Sequence, residues 1–144
     1  MKKLDLDWGV EEYRLGNGVL RLHPGDPNLY TRFLAAAEQI PAIEKALTEK
    51  AKTLPDAESA QAMLQLLQEA DCQMKALLQQ VFQGNDFEKL LQGVNLLAVA
   101  GNGERVITNL LRTLEPVLRS GAERFADAQT ALAVEKANAR RLNT

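Results

Sequence analysis

The hydrophobic pattern changes period once, from two to between three and four, and the change divides the chain. Between Glu12 and Leu22, Tyr13 and Leu15 flank Arg14, and Leu20 and Leu22 flank Arg21. Between these runs, Gly16-Asn17-Gly18 tolerates positive φ. The pattern predicts a β-hairpin. Its apolar face is marginal as an isolated ribbon, so it must pack on the helix that follows or on an adjacent subunit. From Asp26 onward the helical period takes over. Asp26-Pro27 places an N-cap side chain before a proline at the first helical position, and Leu29, Phe33, Ala37 and Ile40 form one apolar stripe. Pro41 is expected to kink or end this helix near Ile40. A second piece, from Pro41 to about Lys52, then carries Ile43 and Leu47.

Pro55-Asp56 marks a restart, and the absence of Gly and Pro from there to Phe82 predicts the longest helix. Met63, Leu67, Ala70, Met74, Leu77 and Val81 make a narrow heptad-like seam along it, widened by Leu64, Leu66, Leu78 and Phe82. Such a seam suits a helical bundle or a protein-binding face. With only 3 methionines in the chain, core filling is the preferred role for Met63 and Met74. Gly84-Asn85-Asp86 ends this helix and caps a short one holding Phe87, Leu90 and Leu91 before Gly93. Val94 to Ala100 is nearly uncharged and is expected to be fully buried. A further helix opens at Glu104 with Val106, Ile107, Leu110, Leu111 and Leu114, bends at Pro116 and has its next break at Gly121. Beyond Ala122 only Phe125, Leu132 and Val134 are bulky and apolar. That segment is either a helix lying on the body or, as favoured, a tail ordered by a partner.

These elements predict a mostly α protein, a helical bundle-like domain with a short N-terminal β-hairpin. One domain covers residues 1–144, with a hairpin region at 1–25, a helical body at 26–120 and a helical C-terminal tail at 121–144. A length of 144 residues, 46% hydrophobic and 25% charged, suffices for a core without disulfide or metal staples. The formal charge of −2 gives no positive field, so neither nucleic acid nor a membrane is an expected partner. Lys136, Arg140 and Arg141 suit a helix C-terminus better than a phosphate backbone. The lone Cys72 can form no internal disulfide and is expected to act as a small buried hydrophobe in a reducing, cytoplasmic setting. Asp5, Asp7 and Trp8-Gly9 interrupt any export signal after Lys2-Lys3, and no apolar run approaches the ~20 residues of a membrane helix.

Candidate chemistry is sparse. Gly101-Asn102-Gly103 precedes a helix, but it lacks the third glycine of a dinucleotide fingerprint and the Lys-Ser/Thr of a phosphate loop, and Glu104 stands where an anion would approach. A tight inter-helix turn is the expected role. His23 is the only histidine, beside Pro24-Gly25, and an ordinary loop hydrogen bond is expected of it rather than catalysis or metal ligation. Glu11 and Glu12, adjacent on a strand, point to opposite faces and cannot flank one bond together. No catalytic, cofactor or metal residues are assigned, and an enzyme is not expected.

The order of elements resembles the phage tail assembly chaperones encoded by prophages of Gram-positive bacteria and by their siphophages. The resemblance rests on Tyr13-Arg14-Leu15-Gly16-Asn17-Gly18-Val19-Leu20-Arg21-Leu22, on Asp26-Pro27-Asn28-Leu29-Tyr30-Thr31-Arg32-Phe33 and on Val81-Phe82-Gln83-Gly84-Asn85-Asp86-Phe87. Leu114-Glu115-Pro116 and the Lys/Arg/Asn-rich end extend it over most of the chain. It implies a small non-enzymatic protein of the bacterial host cytoplasm. Such a protein coats the aggregation-prone tape measure protein and helps tail-tube protein assemble around it, with self-association into a homo-oligomer expected. Under this resemblance the candidate protein-binding residues are Phe82, Phe87, Leu90, Leu91, Phe125 and Leu132, positions that suit a core equally well. A self-associating structural or adaptor protein, joined through the Met63 to Val81 seam, is the alternative.

Overall fold

A computed structural model describes residues 1–56 and 59–142. Two strands, β1 (Glu11–Leu15) and β2 (Gly18–Leu22), are followed by four helices: α1 (Pro27–Lys52), α2 (Ser59–Val81), α3 (Phe87–Leu90) and α4 (Val106–Leu142). The fold is therefore mostly α behind an N-terminal hairpin. Ala57 and Glu58, which the helix expected to be longest includes, lie outside the described residues, as do Asn143 and Thr144 of the tail; α4, not α2, is the longest described helix, because neither Pro116 nor Gly121 breaks it.

The strands pair antiparallel with Tyr13 opposite Leu20 and Leu15 opposite Gly18. Gly16 has φ 59° while Asn17 keeps negative φ, the combination a type II′ turn requires of its two central residues. Leu20 and Leu22 are buried and Tyr13 and Leu15 packed beside them, so the predicted face is the one that docks. Its seat is built by α3 and by Asn85, more than by the Asp26 helix alone. The Asn85 side chain accepts from Arg21 N–H at 2.8 Å and donates to Arg21 C=O at 2.7 Å and to Phe82 C=O at 3.0 Å. One amide thus acts as a short piece of strand along the outer edge of β2 and also closes the end of α2.

Asp26 caps α1 by accepting from Asn28 N–H at 3.0 Å, with Pro27 at the first helical position. The helix does not end at Pro41. It runs unbroken to Lys52 because Ile40 and Leu47, on either side, are both buried in the same core while Pro41 faces solvent. Packing of the flanking turns there outweighs a proline penalty of ~3 kcal/mol. Ala36, not Ala37, completes the buried stripe with Leu29 and Phe33. On α2, Ala70, Met74, Leu78 and Val81 are buried, and Met63, Leu66, Leu67 and Leu77 pack at their margins. Leu64 does not widen this seam; it is exposed.

Cys72 is also exposed, against the expectation of burial. It is two residues from both Ala70 and Met74, roughly 200° around the helix from each, which places it opposite the core face. The buried polar positions nearby are Asp71 and Lys75. Lys75 Nζ lies 2.9 Å from Asp71 Oδ2 and 2.8 Å from Glu88 Oε2, and Asp71 Oδ1 accepts from Leu96 N–H at 2.7 Å. This network joins α2, α3 and the loop ahead of α4. Burial acts to lower the Lys75 pKa, but its hydrogen bonds to Glu88 and Asp71 and their negative charges outweigh that and hold it above the usual lysine value.

The Val94 to Ala100 segment is only partly buried. Leu96 and Leu97 enter the core, but Val94 and Val99 are exposed. The segment has no helix or strand of its own; the amides of Val94, Ala98 and Ala100 bond nearby carbonyls, while Leu96 N–H depends on the Asp71 side chain and Leu97 N–H on that of Asn95. Those anchors turn only part of the segment inward. An isolated bridge between Val99 and Arg105 closes the Gly101 to Gly103 turn, and α4 begins at Val106, two residues later than expected.

Neither Pro116 nor Gly121 interrupts α4. Ile107, Leu110, Leu114 and Leu118 bury one face, and Gly121 continues it. A Cβ on Gly121 would stand 1.9 Å from the Pro24 carbonyl oxygen. Glycine is used here so that the helix can touch the backbone leaving the hairpin, not to break the helix.

Candidate protein-binding surfaces

Three of the expected contact residues belong to the core. Phe82 and Phe87 are 2% and 0% exposed and Leu90 is buried beside them. The Phe33 and Phe82 rings lie 6.4 Å apart, and those of Phe82 and Phe87 5.6 Å apart. These aromatics stand at the C-terminal end of α2 and the start of α3, where α1, α2, α3 and the hairpin converge. Their apolar area is covered within the chain itself. Leu91 is half-buried at the rim of a cleft of 230 Å³ that it shares with Leu15, Gly16, Leu90, Val106 and Leu110. The Met74 to Val81 part of the α2 seam is likewise internal, which leaves that portion no free face for a second copy.

The last two candidates lie on α4. Phe125 is half-buried at the edge of the body, and every described side chain from Ala126 to Arg141 is exposed. At ~1.5 Å per residue this stretch projects roughly 24 Å. Leu132, seven residues after Phe125, continues the face that is buried lower in the helix. It is 48% exposed, and Val134, 55% exposed, lies on the opposite side. Arg140 and Arg141 occupy the last turn, where cations favour the helix dipole.

A second exposed apolar segment comes from the N-terminus. Met1–Val10 has no helix or strand, and Leu4, Leu6 and Trp8 are exposed. Sequence reasoning weighed these residues only as a failed export signal, although their alternation with Asp5 and Asp7 is a period-two pattern lacking a partner. The segment is tied to the exit of the hairpin. Trp8 C=O meets His23 Nδ1 at 2.9 Å, and the two rings stand edge to face at 4.4 Å. His23 thus makes a loop hydrogen bond. Beside it opens a cleft of 620 Å³ lined by Trp8, Arg21, His23, Asp26, Arg32 and Phe82, among others. Within this lining the Arg32 guanidinium is directed to Val81 C=O, reached by Nε and Nη2 at 3.3 Å each, which caps α2.

At the glycine turn before α4 and the start of that helix, four amides are committed within the chain rather than directed at an anion. Gly103 N–H bonds Ala100 C=O, Glu104 N–H bonds the Asn102 side chain, and the Val106 and Ile107 amides bond Ala98 and Leu96 carbonyls. Among the described residues, no group of three or more His, Cys, Asp or Glu side chains could hold a metal ion, and no helix is long and apolar enough to cross a membrane. No protein-family model matches the chain, and neither a curated protein nor a solved structure matches it.

Proposed function

We propose that the chain is a non-enzymatic tail assembly chaperone of the phage or prophage type, which binds the tape measure protein in the host cytoplasm and promotes assembly of the tail tube around it. The observation that carries this reading is the outer half of α4, whose side chains from Ala126 to Arg140 are exposed. A helical stretch of this length that buries so little is marginal in water, and it gains most by lying against another helix. Leu132 and Val134 stand on opposite sides of it, so a client would enclose the helix rather than meet one seam. Exposed Leu4, Leu6 and Trp8 add a second adhesive segment. The identity of the client comes from the resemblance in sequence; the exposed surfaces supply the means of holding it.

Co-expression with a tape measure fragment tests the reading. The full chain is expected to keep the fragment soluble and to co-purify with it, and a chain ending at residue 125 is expected to lose both effects. An insoluble fragment with no recoverable complex overturns it.

A further inference from the structure

We propose that the outer edge of β1 pairs antiparallel with the same edge of a second copy, about a two-fold axis at Tyr13, forming a four-stranded sheet across a homodimer. This goes beyond the client-binding role and uses a different surface.

Among the described residues the sheet contains two strands, so each has one edge without a strand beside it. The register places Glu11, Tyr13 and Leu15 in the pairs that exchange hydrogen bonds with β2, so the backbone groups of Glu12 and Arg14 point outward from β1 and those of Val19 and Arg21 outward from β2. The two edges are treated differently. Arg21 N–H and C=O are both bonded by the buried Asn85 side chain. Among the described residues, none bonds the outward groups of Glu12 and Arg14. The β1 edge has no proline and its register shows no bulge, and among the described residues no helix packs on β1 as closely as α3 packs on β2; its protection is its charges, which a second copy can match.

The occupant follows from the charges. An antiparallel strand centred on Tyr13 sets Glu12 opposite Arg14 of the second copy and Arg14 opposite its Glu12, and the outward N–H and C=O groups of both then bond reciprocally. Glu12 already meets Arg21 across the hairpin at 3.1 Å, whereas Arg14 stands opposite Val19 with no acidic partner among the described residues. In the joined sheet each Glu12 lies between two arginines, and each Arg14 acquires a carboxylate. Sliding the register by two residues either way sets Glu12 against Glu12 or Arg14 against Arg14. The charge order therefore selects one register and one two-fold, the self-complementarity that an isologous dimer needs.

Sedimentation velocity of the full chain over a concentration series, with charge-exchange variants, tests the proposal. Wild type is expected to dimerise reversibly. Glu12→Arg alone and Arg14→Glu alone should each weaken association roughly thirty-fold, by replacing two attractive cross-strand pairs with two repulsive ones. An equimolar mixture of the two variants should recover the dimer, as should the double exchange Glu12→Arg/Arg14→Glu, which serves if either single variant folds poorly by circular dichroism. A wild type that stays monomeric at its solubility limit overturns the proposal. An oligomer indifferent to either single substitution, or variants that fold but fail to associate in the mixture and in the double exchange, also overturns it.

Discussion

Asn85→Ala should detach the hairpin from the helices. The substitution removes three hydrogen bonds, to Arg21 N–H, Arg21 C=O and Phe82 C=O. At a net ~1 kcal/mol each, the loss is about 3 kcal/mol, since water from the adjoining cleft rehydrates part of the freed edge. For a chain of this length that corresponds to a fall in Tm of roughly 9 °C. Asn85→Asp separates hydrogen bonding from volume. At neutral pH the introduced carboxylate still accepts from Arg21 N–H, but it turns a second oxygen on two carbonyls that had received donors, so the cost should exceed that of alanine. Folding then disfavours the charged form and raises the folded-state pKa of the new carboxyl above its unfolded value of ~3.9. The native state binds more protons between the two pKa values, so the stability deficit should shrink as the solution is acidified toward pH ~4. Urea denaturation at several pH values measures both effects, and hydrogen exchange of the β2 amides locates them. The reasoning fails if Asn85→Ala loses less than about 1 kcal/mol, or if Asn85→Asp matches wild type at neutral pH.

Gly121→Ala, which in an exposed helix interior would add ~1 kcal/mol, is expected instead to destabilise by about 1–3 kcal/mol, because the new methyl meets the Pro24 backbone; thermal denaturation reads the sign. Lys75→Met should cost about 3–5 kcal/mol by leaving Asp71 buried without its cation, and Glu88→Gln, at the exposed end of the network, less than ~1 kcal/mol. Because the folded-state pKa of Lys75 is raised, its contribution is complete below the unfolded value near 10.5 and declines as pH rises through the folded one. Wild type should therefore lose stability on that alkaline limb more steeply than Lys75→Met, as denaturant midpoints across the limb will show. Phe82→Ala should cost ~3–5 kcal/mol and Leu132→Ala under ~0.5 kcal/mol, a contrast that calorimetry of the free chain resolves.

The hairpin, the start of α1, the end of α2 and the cap of α3 were legible because each depends on neighbours in sequence: alternation around Gly16, Asp26 before Pro27, and Gly84 ahead of Asp86. Pro41, Pro116 and Gly121 misled for the same reason. Local chemistry argues for a break at each, and tertiary contacts decide otherwise. The exposure of Cys72 could have been read by projecting it against Ala70 and Met74 around the helix. Asn85 and Asp71 could not have been found in this way, because a single polar residue bonding a backbone distant in sequence leaves no periodic trace. Among the candidate contacts, apolar character alone could not separate Phe82 and Phe87, enclosed where four elements meet, from Leu132, left outside. Where the elements pack on one another decides which apolar side chains are covered.

The contact between Gly121 and Pro24 bears on how the chain folds during synthesis. The hairpin is made well before the α4 backbone that closes against its exit. Until the helices emerge, Leu20 and Leu22 lack their cover and β1 presents an open edge, the combination that invites premature pairing between nascent chains. Closing so long a loop also costs entropy before its contacts repay it, which slows the final step. Slow translation or crowded polysomes should therefore trap this protein through its N-terminal strands, long before its C-terminal helix can meet any partner.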